Sequence, residues 1–261
     1  MIGVFDSGIG GLTVVRAIME YFHGYDVLYL GDTARTPYGS KSPSTVIKYA
    51  IENTEWLLTQ GAQAIVLACN TVSSVATETL RRRYDIPIFE VISPAAEMAM
   101  NVSRNGRIGI IGTRATVASG NYEKVIKNRR PDFKVFSRAC PLLVPLVEEG
   151  WLGKPETAMI VKKYLRPLKM QQIDTLILGC THYPLLTDLI QSKIGRRVRV
   201  IDSSTGVVNS IQKLLKANPE WGERLKQEGG CRFVVSDTTD HFETIARSIL
   251  KHRIQLEILP A

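Results

Sequence analysis

Two cysteines stand at the ends of two short apolar runs, Cys69 in AIVLACNTVSS and Cys180 in TLILGCTHYPLL. A thiol titrates close enough to neutrality to act as an acid or, once ionised, as a base or nucleophile. Two thiols facing each other across one cleft could take a proton from one side of a substrate and return one to the other. The ordinary alternative for an unpaired cysteine is a small buried hydrophobe. Against that reading stand the neighbours, Asn70 and Thr71 after the first thiol and Thr181 and His182 after the second. Such groups are costly in a dry core unless they are bonded. Other thiol chemistries fit worse: a phosphatase loop needs arginine six residues after the cysteine, where Val75 and Leu186 stand. A zinc site needs a close Cys or His pair, and the sequence has none there. Cys140 and Cys231 lack comparable polar partners and read as packing residues.

The elements that must present these thiols are strands. Each run is aliphatic or β-branched and is followed by residues suited to starting a helix, so each thiol emerges at a strand's carboxyl end. That edge is where α/β sheets bind ligands. A negative end of substrate or sulfur there would face a helix N-terminus, which lowers a thiol's pKa further. Ile2 to Asp6, Asp26 to Leu30, Ala64 to Ala68 and Pro87 to Val91 read as strands of a first cycle. Arg107 to Ile111, Lys134 to Ser137, Leu176 to Leu178 and Val198 to Asp202 read as a second. Helical stretches lie between them, among them Leu12 to Tyr21 and Thr45 to Thr59, and Ser93-Pro94 reads as the N-cap and first-turn proline of another.

The two cycles resemble each other, IGVFDSG matching RIGIIGTRAT and IVLACNT matching LILGCTH, as an internal duplication would leave. The expected architecture is α/β: two similar three-layer domains with mainly parallel sheets, pseudo-twofold related, with the site in the cleft between them. The expected boundaries are 1–92 with 207–261 for the domain carrying Cys69, and 93–206 for the domain carrying Cys180. The strand-like Cys231 to Ser236 and the helix-like His241 to Leu250 are expected to return to the first half.

FDSGIGG places Asp6 and Ser7 at the end of the first strand, ahead of a glycine turn. It is a poor dinucleotide fingerprint, because Thr13 occupies the third glycine position and Asp6 would repel a pyrophosphate. Asp6 and Ser7 can cap the following helix or face the cleft. In the polar loop GDTARTPYGSKS, Tyr38, Gly39 and Ser40 offer a phenol, an approachable backbone and a hydroxyl beside Lys41, which suits a carboxylate. Taken alone, the loop reads equally well as a connection.

With 261 residues, 44% of them hydrophobic, the chain can bury a substantial core. Its net charge of +8 is scattered in small knots at Arg81 to Arg83, Lys127 to Arg130 and Arg196 to Arg199, and only 7% of residues are aromatic. Solvated helix faces explain this better than a nucleic-acid surface, which concentrates charge and stacking residues together. A mild positive potential still favours a small anionic substrate. No run approaches membrane-spanning length, and Ile2 to Phe5 is too short for a signal peptide, so the cytoplasm is expected. Four cysteines in a chain of this size are expected as free thiols.

FDSGIGGLTV, GDTARTPYG, ACNT, VPLVE and LGCTHYPLL, in this order and spacing and nearly end to end, resemble the bacterial glutamate racemases of the cofactor-independent aspartate/glutamate racemase superfamily. The resemblance implies two α/β domains with the site between them and interconversion of L-glutamate and D-glutamate, supplying D-glutamate for peptidoglycan. It implies that Cys69 takes the proton from D-glutamate and Cys180 from L-glutamate, with Asp6 supporting the first and Glu148 and His182 the second. Glu148, directly after Val147, takes that role rather than Glu149. Substrate contacts carry over to Asp6, Ser7, Tyr38, Gly39, Ser40, Asn70, Thr71, Thr113, Thr116, Thr181 and His182. Neither pyridoxal nor metal is implied, and the partners implied are the two glutamate enantiomers and a second copy in a homodimer. Some relatives carry an N-terminal extension associated with activation by a cell-wall precursor; this chain reads as beginning at its first strand, and that activation is not expected. Aspartate racemase is the alternative within the superfamily, and a regulatory contact with DNA gyrase the alternative outside catalysis.

Overall fold

The strands are β1 (Ile2–Asp6), β2 (Val27–Gly31), β3 (Ala64–Leu67), β4 (Ile88–Glu90), β5 (Arg107–Gly112), β6 (Lys134–Ala139), β7 (Thr175–Gly179), β8 (Arg199–Asp202), β9 (Cys231–Val235) and β10 (Leu256–Ile258). The structure is a computed structural model that describes residues 1–225, 228–238, 240–251 and 254–259. Among these residues two sheets form, in the orders β10-β9-β2-β1-β3-β4 and β6-β5-β7-β8, and their pairings are parallel. The second sheet repeats the order β2-β1-β3-β4 strand for strand, so the likeness of the two cycles extends to topology.

Alternation along each strand divides the core into layers. In β1 and β2, Ile2, Val4, Val27 and Tyr29 enter one cluster while Phe5, Leu28 and Leu30 enter another. In the second sheet Leu176 and Leu178 face one cluster, and Ile108, Ile110 and Ile177 the other. Strands buried on both faces read as continuous apolar runs because helices cover each side. The helix Ile92–Val102 contributes Ile92, Ala95, Ala96 and Ala99 to the second sheet's core. The helix Ser203–Ala217 returns Val207, Val208 and Ile211 to the first, where Phe242, Ile245 and Ile249 of the helix Asp240–Leu250 join them. Positions 226, 227, 239, 252, 253, 260 and 261 of the expected first domain lie outside the described residues.

Two local departures have physical causes. The helix after β4 begins at Ile92, because the Glu90 carboxylate accepts from the N–H groups of Ile92 and Ser93 and so places Ser93 inside the first turn. The edge strand β10 was not expected; it is three residues long and partly exposed, so it lacks the fully apolar signature of the inner strands. No helix among the described residues is long and apolar enough to cross a membrane.

Candidate active site

In each sheet two adjacent strands send their connections to opposite sides, β1 to β2 and β3 to β4 in the first, β5 to β6 and β7 to β8 in the second. A crevice opens outside the carboxyl ends at such a point. Asp6 ends β1 and Cys69 lies just past β3; Thr113 follows β5 and Cys180 follows β7. The two crevices meet in one small chamber of about 20 Å³. Ser7, Tyr38, Gly39, Cys69, Asn70 and Thr71 line it from the first sheet, and Thr113, Cys180, Thr181 and His182 from the second, with Pro37 and Val144 completing the wall.

Around Cys69 the partners are a hydroxyl and a buried acid. The thiol donates to Ser7 Oγ at 3.6 Å. Asp6, fully buried, accepts from the Gly8 N–H at 2.9 Å and from Thr181 Oγ1 of the other half at 3.1 Å. Burial raises the Asp6 carboxyl above the ordinary carboxylate range, against the lowering pull of the His182 charge and these hydrogen bonds. Cys69 is pushed up to about 12, by burial first and then by the Asp6 carboxylate. The Val72 N–H in the first turn of the helix Asn70–Val75 pulls the other way and loses. The expected lowering of this thiol by a helix N-terminus is therefore overturned by desolvation and a neighbouring negative charge.

Around Cys180 the partner is a cation. Its Sγ lies 3.8 Å from His182 Nδ1, and His182 Nε2 lies 3.1 Å from Glu148 Oε1. Burial by itself would lower the imidazole, but the bonds to Cys180 and Glu148 outweigh it and hold His182 well above its usual value, as imidazolium. Thr36, from the first half, also donates to Glu148 Oε1 at 3.5 Å. No α-helix starts at Cys180: a 3-10 turn, Tyr183–Leu186, intervenes before the helix Thr187–Ile194.

The remaining expected residues divide. Thr113 caps the helix Arg114–Ala118 and shares a hydroxyl cluster with Thr71 at 2.9 Å and Thr116 at 3.0 Å, which places Thr116 behind the wall. The Gly39 backbone runs so close to Thr113 that a β-carbon there would sit 2.5 Å from Thr113 Cβ. Tyr38 lines the chamber, but its phenol is bonded to Asp32 and Asn53, so it offers ring and backbone rather than the free hydroxyl the sequence promised. Ser40 is turned out: it is exposed, bonds the Pro37 carbonyl at 3.3 Å and lines a neighbouring apolar recess. Glu148 is the acid that meets His182, from behind the chamber wall; with Glu149, Phe242 and Ile245 it lines a separate cavity. Cys140 is wholly buried in the second core and Cys231 packs on the first. Sequence reasoning passed over Asp32, Thr36 and Ser203; Asp32 and Ser203 follow β2 and β8 and could have been found by the same strand-end rule. Tyr122, buried on the helix Asn121–Arg129, had no such signal.

Two thiols, each with its own polar partners, line one chamber on a twinned α/β scaffold, an arrangement chemically able to take a proton from one side of a substrate and return one to the other. The chain belongs to the Asp/Glu/Hydantoin racemase family, whose model matches residues 2–211. It is 45% identical to the glutamate racemase of Persephonella marina over 258 residues, covering 99% of this chain and 96% of that protein. Its fold matches a glutamate racemase isoform from Bacillus anthracis with a TM-score of 0.93 and 35% identity, covering 100% of this chain and 97% of that one. The glutamate racemase of Francisella tularensis, solved in complex with D-glutamate, matches with a TM-score of 0.90 and 35% identity over 99% and 97% of the two chains. An aspartate racemase homologue from Pyrococcus horikoshii is 20% identical with a TM-score of 0.58, a likeness of fold alone.

Proposed function

We propose that this enzyme is a glutamate racemase that inverts the α-carbon of L- and D-glutamate with Cys69 and Cys180 as its two acid/base groups and no added cofactor. The observation that carries the proposal is that the two thiols, at equivalent strand ends of the two sheets, line one chamber. For L-glutamate, Cys180 removes the α-proton while Cys69, a thiol at neutral pH, delivers a proton to the opposite face. Cys180 must enter that step as thiolate and leaves it as thiol; the charge it carries beforehand faces the His182 imidazolium, and the Glu148 carboxylate fixes that ring. In the reverse direction Cys69 must first give up its proton, and Asp6, whose carboxyl burial makes more basic, is the acceptor at hand.

Substrate contact falls to Ser7, Gly39, Asn70, Thr71, Thr113 and Thr181 in the wall, with Tyr38 contributing through its backbone. Aspartate racemisation is the weaker alternative, supported only by remote structural likeness. A chamber of about 20 Å³ holds about one water, so its walls must move to admit glutamate. The proposal takes the halves as two domains, 1–92 with 207–261 and 93–206, which agrees with where the helices Ile92–Val102 and Ser203–Ala217 place their apolar residues. It further takes the protein as a cytoplasmic homodimer serving peptidoglycan synthesis.

The test is circular dichroism of D-glutamate turnover by purified protein with nothing added. Racemisation in D2O should place deuterium at the α-carbon. Absence of turnover on either glutamate enantiomer, with aspartate racemised instead, would overturn the substrate assignment.

A further inference from the structure

We infer that Tyr122 is a positioning residue that sets the separation of the two thiols, by bracing the residue after Cys69 against the residue before Cys180. The inference rests on the two-thiol reading above. Tyr122 is buried in the second sheet's core with Ile108, Ile110 and Ile177. Its phenol leaves that core and donates to Asn70 Oδ1 at 2.7 Å, across the boundary between the sheets. Its ring lies on Gly179: a β-carbon added there would be 3.2 Å from Tyr122 Cε2. One rigid side chain therefore touches the neighbour of each thiol.

The Asn70 carboxamide is held at both ends. While Oδ1 accepts from Tyr122, Nδ2 donates to the wholly buried Ser203 Oγ at 3.2 Å. Tyr122, Asn70 and Ser203 form a buried hydrogen-bonded chain, an arrangement that strengthens its members in a dry setting. Burial keeps the phenol protonated, so it is a constant donor. The same helix start reaches the first half a second time, because Asn121 donates to the Ser74 carbonyl of the helix that Cys69 begins. Asn70 also lines the chamber, and its carboxamide has a second N–H beyond the one given to Ser203.

Inversion needs both thiols within reach of one carbon from opposite faces, so loosening their spacing should act on turnover rather than on binding. Tyr122→Phe keeps the ring against Gly179 and removes only the hydroxyl. It is expected to lower kcat for both glutamate enantiomers about ten- to hundredfold, with KM changed less than about threefold, per folded enzyme as judged by near-ultraviolet circular dichroism. Ser203→Ala should show a smaller loss of the same kind. The double variant should fall no lower than Tyr122→Phe, since both act through Asn70. A folded Tyr122→Phe enzyme with wild-type kcat, or with a loss confined to KM, overturns the inference. If that variant does not fold, Ser203→Ala is judged by the same two criteria. Failure of the wild-type protein to racemise glutamate is a different result: it overturns the proposed function, and this inference with it.

Discussion

The Cys69 and Cys180 half-sites occupy the same place in a repeated topology and are chemically unlike. Cys69 begins an α-helix, sits beside a buried acid and is held as thiol; Cys180 enters a 3-10 turn beside an imidazolium. The difference teaches that the repeat supplies position while the residues next to it supply charge. It also meets a strict constraint: enantiomers have equal free energy, so kcat/KM must be the same in both directions however unequal the half-sites are. Asymmetry can appear only in how that ratio divides between kcat and KM.

Removing either thiol is the largest break. Cys69→Ala and Cys180→Ala are each expected to lose about 10³-fold or more in kcat/KM, since each deletes one of two obligatory proton carriers. Racemisation of D-glutamate measured by circular dichroism checks this, and retained turnover by Cys69→Ala would sink the two-thiol mechanism.

The supporting groups should come next, at about 10²-fold each in kcat/KM. Asp6→Asn removes an acceptor and His182→Asn a cation, so the two variants should divide their losses differently between kcat and KM while keeping the two directions equal in kcat/KM. The pH profile separates them further. In the wild type, activity should fall on the acid side as pH drops through the raised Asp6 value, and on the alkaline side as pH rises through the raised His182 value. Asp6→Asn should erase the first limb only and His182→Asn the second only; the same profile in both variants would show that the half-sites are not chemically distinct.

Much of the common frame is legible in the sequence, because strand ends, glycine turns and a repeated motif are local. The two thiols, Asp6, Ser7, Asn70, Thr71, Thr181 and His182 follow from that reading. The resemblance also assigns unequal partners to the half-sites, Asp6 to Cys69 and Glu148 with His182 to Cys180, but how charge divides between them is not readable. Whether CNT or CTH starts a helix depends on packing, and the charge on His182 depends on Glu148 arriving from 34 residues away. Tyr38 and Ser40 were assigned from residue type, yet one phenol is consumed by Asp32 and one hydroxyl turns outward. Tyr122 could not be found at all, since a lone tyrosine on a helix carries no periodic signal.

Wedges between the halves should cost less than lost chemistry. A β-carbon at Gly10 would meet Thr181 Oγ1 at 2.4 Å, His182 Nδ1 at 2.7 Å and the Thr181 backbone carbon at 2.8 Å, whereas one at Gly39 would meet only the Thr113 side chain. Side chains yield more readily than backbone. Gly10→Ala is therefore expected to cost up to about a hundredfold in kcat and Gly39→Ala about tenfold, by misplacing one half against the other. Steady-state kinetics on folded variants checks the order, and the reverse order would move the tighter contact to the Cys69 side.

The smallest effect is on stability, and it isolates the dry side of the site. The Cys69 thiol lies at about 12 in the folded protein against 9.0 for an ordinary thiol. Between those values the folded chain holds a proton that the unfolded chain releases, so the contribution is complete below pH 9 and is lost as pH rises toward 12. The slope for one such group is at most about 1.4 kcal/mol per pH unit. Cys69→Ala should lower stability at pH 8 by leaving a small cavity, and the gap to wild type should narrow at pH 10.5 in urea unfolding. Cys140 and Cys231, also near 12, are common to both proteins and cancel from the difference. A gap that stays constant with pH would mean that the folded protein lets Cys69 ionise as freely as the unfolded chain does, and the contrast between an uncharged and a charge-bearing half-site would have to be abandoned.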